Sequence, residues 1–234
     1  MKQPPGTLAR YTTAARINHW ITAGTLILLA LSGMALFHPS LFFLTALFGG
    51  GAYTRAIHPW FGTVLLVSFA LLFIRFVRHN LWDRDDTRWM GAIRRVLAND
   101  EENVPEVGRY NAGQKLVFWS MTLLILVLFA SGMVIWDTYF FGYTSIEQKR
   151  VAQLIHSLAA IVIIGVWIVH VYAALWVRGS VQGMTRGVVT AGWSWRHHRK
   201  WLRETASQRP TVSADAGIVG SGVKRELERE DMRR

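Results

Sequence analysis

The chain has 234 residues, of which 51% are hydrophobic, with a mean hydropathy of +0.22 and a formal charge of +11 at pH 7. A single domain-sized unit this apolar points to the bilayer as solvent; its basic residues avoid the apolar runs and gather between and after them, which suits a membrane surface and argues against nucleic acid. The absence of cysteine excludes disulfides, iron–sulfur ligation, zinc–thiolate sites and covalently attached c-type heme, so any redox centre must be held non-covalently, mostly by histidine.

In chain order, four stretches free of Asp, Glu, Lys and Arg are long enough to cross a hydrocarbon core about 30 Å thick: Ile17–Phe37, Ile57–Ile74, Leu116–Trp136 and Val151–Val177. The first continues to full spanning length without a small-residue cleavage site, which predicts a retained anchor and no cleaved leader. Between the first two spans, Leu41–Phe48 is too short to cross and is bracketed by Pro39 and the run Gly49-Gly50-Gly51, so it is expected at the interface.

Lys2, Arg10 and Arg16 precede the first span. The loop 75–115 carries Arg75, Arg78, Arg84, Arg88, Arg94, Arg95, Arg109 and Lys115, whereas the other two loops hold only Arg55, Lys149 and Arg150. This asymmetry predicts cytoplasmic termini and a cytoplasmic loop 75–115. Within that loop a surface helix is expected from Asp86, with Trp89, Ile93, Val96 and Leu97 on one face resting on the inner leaflet. Residues 1–203 are thus expected to form one all-α, four-helix transmembrane domain, and 204–234, small, polar and charged, a disordered basic tail.

The halves echo each other: Leu31-Ser32-Gly33-Met34 parallels Ala130-Ser131-Gly132-Met133, and Ile57-His58 parallels Ile155-His156. Four of the eight histidines, His19, His58, His156 and His170, fall within the spans, where ionisable groups are costly and face the bundle interior. By depth they form two pairs, His58 with His156 near the outer end and His19 with His170 near the inner end. On the fourth span, 14 residues separate His156 from His170, which gives nearly the same face and a rise of ~21 Å. Each pair can clamp an iron between two imidazoles, an arrangement suited to outer-sphere electron transfer. Gly33 and Gly132 lie at the outer depth, where missing side chains let a macrocycle approach or simply let helices pack. Interhelical hydrogen bonding and a proton relay are the other roles open to the four histidines. His38, His79, His197 and His198, in loops and basic flanks, are expected to be solvated.

From Arg10 to Trp201 the chain resembles the cytochrome b, or gamma, subunit of membrane-bound respiratory formate dehydrogenases. The resemblance rests on Arg16-Ile17-Asn18-His19-Trp20, His58-Pro59-Trp60-Phe61-Gly62, Arg109-Tyr110-Asn111-Ala112-Gly113-Gln114-Lys115 and the His156–His170 span. Cytochrome b subunits of nickel–iron hydrogenases share the four-helix, two-heme plan, and the Arg109–Lys115 segment favours formate dehydrogenase.

The resemblance implies two hemes b, the outer on His58 and His156 and the inner on His19 and His170, in a bacterial inner-membrane protein. It also implies a quinone (menaquinone or ubiquinone) bound near the cytoplasmic face by Asn111, Gly113 and Gln114, although Asn111 also suits a plain helix N-cap. The implied partners are an iron–sulfur subunit and a catalytic subunit with a molybdenum or tungsten pterin. Formate oxidation belongs to that partner, since this chain has no cysteine and no extramembrane segment long enough for a pterin domain. A transporter with a histidine relay and a heme-free membrane anchor are the rival classes; both predict a protein without heme absorbance.

Overall fold

A backbone in hydrocarbon has no water to bond, so the apolar stretches must satisfy their own N–H and C=O groups as helices. In the computed structural model, which describes residues 6–98, 100 and 104–207, they do so in α1 (Thr13–Phe37), α2 (Gly51–Phe76), α5 (Ala112–Ile135) and α7 (Ile146–Trp176), with the short α6 (Asp137–Phe140) between the last two. All four are long and apolar enough to cross a membrane. Each starts four to six residues earlier than the charge-free stretch suggests, because its first turns carry Arg16, Arg55, Lys115 or the Lys149-Arg150 pair outside the apolar core.

The described residues form two compact units, one of residues 14–78 and 116–173, the other drawn from the described part of 6–13, 79–115 and 174–207. The first unit is the helical bundle. Its outward positions are apolar and open, Ile74 at 73% and Leu123 at 64% exposure, while Thr22, Thr25, Ser32, Thr54, Ser68 and Ser131 are buried inside. That inversion of the water-soluble pattern is what lipid solvent selects, because apolar groups lose nothing facing acyl chains and small polar residues let helices approach. Leu26, Leu65, Met121, Ile125 and Ile163 form the bundle's buried apolar layer, with every span contributing.

Between α1 and α2, Pro39–Phe48 forms a 3₁₀ helix with Phe43 and Leu47 exposed, as suits an interface. It ends because Gly49 and Gly50 adopt φ of 82° and 103°, and their N–H groups bond the carbonyls of Ala46 and Thr45.

The second unit departs from the sequence-based expectation at several points. The loop helix begins at Arg84 (α3, Arg84–Gly91) because Asp83 caps it: Asp83 Oδ1 accepts from the N–H groups of Asp85 and Asp86, and Asp86 Oδ2 accepts from Asp83 N–H at 2.8 Å. It breaks at Ala92, and α4 (Ile93–Leu97) follows. Trp89 is therefore buried against Val107 and Ala112 instead of resting on a leaflet. Asp86, itself 2% exposed, pairs with Lys115 Nζ at 2.5 Å and so ties this loop to the start of α5.

The chain is also not purely helical. Strands β1 (Thr7–Ala9) and β2 (Val188–Thr190) pair antiparallel with Leu8 opposite Val189, and α8 (Ser180–Arg186), α9 (Ala191–His197) and α10 (Arg199–Ser207) surround them. Leu8, Val189, Trp193, Trp201 and Leu202 make their core. The final helix runs to Ser207, past the expected boundary at 203; the rest of the expected tail lies outside the described residues.

Finally, His198 is 1% exposed, not solvated. Its Nδ1–H donates to Gly108 O at 2.8 Å, and its Nε2 faces Arg10 Nη2 at 3.4 Å. A carbonyl can only accept and a guanidinium can only donate, so the ring must be neutral. Arg10 lies between Trp193 and Trp201, 4.8 Å from each ring, and exchanges guanidinium–carbonyl hydrogen bonds with Arg109. Burial first, and the Arg10 charge second, push the His198 imidazole down to about 3 from 6.5.

A native pKa below the unfolded value means that the stabilisation is complete above pH 6.5 and is lost as pH falls toward 3. Between pH 7 and pH 5 this unit should lose about 2 kcal/mol, read as faster hydrogen exchange in 104–115 and 188–207. His198→Gln, which keeps one donor and one acceptor but cannot ionise, should flatten that dependence.

Candidate functional site

Helix geometry brings the four intramembrane histidines together as the spacing predicts. His58 and His156 face each other with ring centroids 6.3 Å apart and planes at 67°. His19 and His170 do the same at 6.3 Å and 54°. All four rings are partly buried. Leu26 lies seven residues after His19, Leu65 seven after His58, and Ile163 midway between His156 and His170. Seven residues return a helix to nearly the same face about 10 Å further along. The apolar layer therefore lies between the two imidazole levels.

The glycines meet imidazole directly. A Cβ on Gly33 would stand 3.4 Å from His58 Cε1, and one on Gly132 would stand 3.4 Å from His156 Cε1. Their neighbours Ser32 and Ser131 place hydroxyl oxygens 2.7 and 3.0 Å from the Nδ1 atoms of the same two histidines. These serines have no signal of their own in the sequence beyond the repeated Ser-Gly pair, since serine in a span is ordinarily a helix contact.

Asn111 and Gln114 cap the start of α5 reciprocally. Asn111 Oδ1 accepts from Gln114 N–H at 2.9 Å, and Gln114 Oε1 accepts from Asn111 N–H at 3.1 Å. Both bonds use side-chain oxygens and leave the two amide NH₂ groups as donors. Gly113 lies under Trp89, whose ring would be 3.3 Å from an added Cβ.

Fold and site together define a four-span membrane protein with imidazoles paired inside the bundle. A family profile described as prokaryotic cytochrome b561 matches residues 10–187. The formate dehydrogenase cytochrome b556(fdo) subunit of Escherichia coli (strain K12) is 44% identical over 198 residues, which cover 85% of this chain and 93% of that one. The nitrate-inducible formate dehydrogenase cytochrome b556(Fdn) subunit of the same strain is 40% identical over 203 residues, 87% and 94% of the two chains. The formate dehydrogenase cytochrome b556 subunit of Haemophilus influenzae is 36% identical over 216 residues, 91% of each. The chain belongs to the prokaryotic cytochrome b561 family, among the cytochrome b subunits of formate dehydrogenases.

The family implies heme b, and the residues present fit it. An imidazole nitrogen binds a metal at about 2 Å and lies roughly 1.1 Å from its own ring centre, so two imidazoles sharing one ion have centres about 6 Å apart. Both pairs show this spacing. Among the described residues no group of three or more His, Asp or Glu is placed to hold a metal ion. Two imidazoles alone underfill an iron, whereas a tetrapyrrole brings four nitrogens of its own.

Because the glycine contacts are already at 3.4 Å, a branched side chain there must displace the ring. Gly33→Leu and Gly132→Leu should each lower the b-type absorbance per chain of the purified protein, whereas the corresponding alanine variants should retain most of it. Leucine variants with full absorbance would contradict the packing described.

Proposed function

We propose that this chain is the di-heme cytochrome b subunit of a respiratory formate dehydrogenase in the bacterial cytoplasmic membrane. In this role it takes electrons from an extracytoplasmic iron–sulfur subunit and passes them to a quinone near the cytoplasmic face. The observation that carries the reading is the pair of imidazole couples at one common spacing of 6.3 Å, separated along one helix by about 21 Å. His58 and His156 would hold the outer heme, and His19 and His170 the inner. When bound, heme b would supply one-electron transfer, with two imidazoles committed to each group.

The chain's own residues set the rest. Leu26, Leu65, Met121, Ile125 and Ile163 keep water and ions out of the space between the two levels. The excess of Lys and Arg in the N-terminal segment, the loop 75–115 and the C-terminal region favours the cytoplasm for all three, which assigns His19 and His170 to the inner leaflet.

A quinone presents carbonyl oxygens, which need donors, and the amide NH₂ groups of Asn111 and Gln114 are donors that the helix cap does not use. Electrons moving inward while quinone takes its protons from the cytoplasm build a membrane potential without a pump. Formate itself is oxidised in a partner subunit carrying a molybdenum or tungsten pterin.

Purification of the intact complex tests this. An iron–sulfur subunit and a pterin subunit should accompany the chain, and formate should reduce its b-type absorbance. Hydrogenase subunits in their place, or bands that formate leaves oxidised, would contradict the assignment. Asn111→Leu should lower kcat/KM for quinone about tenfold, the equivalent of one hydrogen bond, with heme reduction by formate retained.

A further inference from the structure

The two imidazole couples differ in what holds their far nitrogens. At His58 and His156 the same device appears twice. Ser32 Oγ donates to Leu28 O at 2.7 Å, and its oxygen stands 2.7 Å from His58 Nδ1. Ser131 Oγ donates to Val127 O at 2.7 Å, and its oxygen stands 3.0 Å from His156 Nδ1, a ring that the Leu128 carbonyl also accepts from. A hydroxyl has one proton. With that proton on the carbonyl one turn back, the oxygen can only accept, so Nδ1 carries the hydrogen and Nε2 keeps a free lone pair. At the other level His19 Nδ1 is buried without a hydrogen-bond partner.

We infer that Ser32 and Ser131 are positioning residues that fix His58 and His156 as Nε2 ligands and make them the more electron-donating couple, so that their heme titrates at the lower potential. This rests on the di-heme reading above. An acceptor on Nδ1–H raises the basicity of the opposite nitrogen, and a more basic axial ligand stabilises the oxidised iron over the reduced. Electrons that enter at the His58–His156 level then run downhill to the His19–His170 level, the direction quinone reduction requires.

Redox titration of the purified complex, followed by b-type absorbance, tests the inference. The unaltered protein should show two components. In Ser32→Ala and in Ser131→Ala the low-potential component should shift to more positive values, further still in the double variant, with the high-potential component unmoved. Ser131→Thr, which keeps a hydroxyl on the carbonyl one turn back, should give the unaltered potentials, including the case in which Ser131→Ala loses heme.

A double variant that holds two hemes with an unmoved low-potential component overturns the inference. So does a shift confined to the high-potential component, or a threonine variant that behaves as alanine does. An unaltered protein with fewer than two hemes per chain contradicts the di-heme reading itself, whereas two hemes that titrate as a single component overturn the inference alone, so the two failures are distinguishable.

Discussion

Two imidazoles from different helices, held 6.3 Å apart inside an apolar bundle, constrain nearly everything else in the membrane unit. A polar ring at membrane depth is destabilising unless it is ligated or hydrogen-bonded, so the helices must meet at these two levels and nowhere else in particular. Glycine at 33 and 132 gives the His58 and His156 rings room to lie against a neighbouring backbone. The layer of Leu26, Leu65, Met121, Ile125 and Ile163 fills the space between the levels. Exposed apolar positions such as Ile74 and Leu123 are free to face lipid.

The internal repeat explains one level and not the other. Ser32-Gly33 on the first span faces His58 on the second, and Ser131-Gly132 on the third faces His156 on the fourth, at sequence separations of 26 and 25 residues from serine to histidine. Carried across the same offset, the position matching His19 is Phe118, which stacks on Phe73 with centroids 5.6 Å apart and planes at 9°. The position matching His170 is Leu72, a buried core residue. The His19–His170 couple is therefore an asymmetric feature of a quasi-symmetric bundle, and the serine acceptors follow the symmetric part.

The spans and the histidine couples were legible in the sequence because both follow from helix periodicity and a charge-free length, which one-dimensional spacing records directly. The helix starts were not, since turns carrying Arg55 or Lys149 are helical yet lie outside the apolar core. The local pattern points to Asp86 as a helix start, although Asp83, three residues earlier, is the cap that completes a reciprocal pair.

The paired strands Thr7–Ala9 and Val188–Thr190 are too short to alternate and are joined across some 180 residues. His198 sits among basic neighbours in sequence, but in space Trp193, the Arg10 guanidinium and the Gly108 carbonyl enclose it. Contacts between distant segments leave no local pattern to read. Asn111 and Gln114 show the converse: the local cap signal was correct, and it leaves their amide donors open for a second role.

The most direct test of the account is the axial ligation of whatever heme the purified chain carries, measured by near-infrared magnetic circular dichroism together with heme content per chain. The account predicts two hemes per chain, both low-spin with bis-imidazole ligation, and the loss of one of them in either His58→Ala or His170→Ala. A chain with no heme or a single heme, or one whose spectrum reports a ligand other than two histidines at either iron, would contradict it.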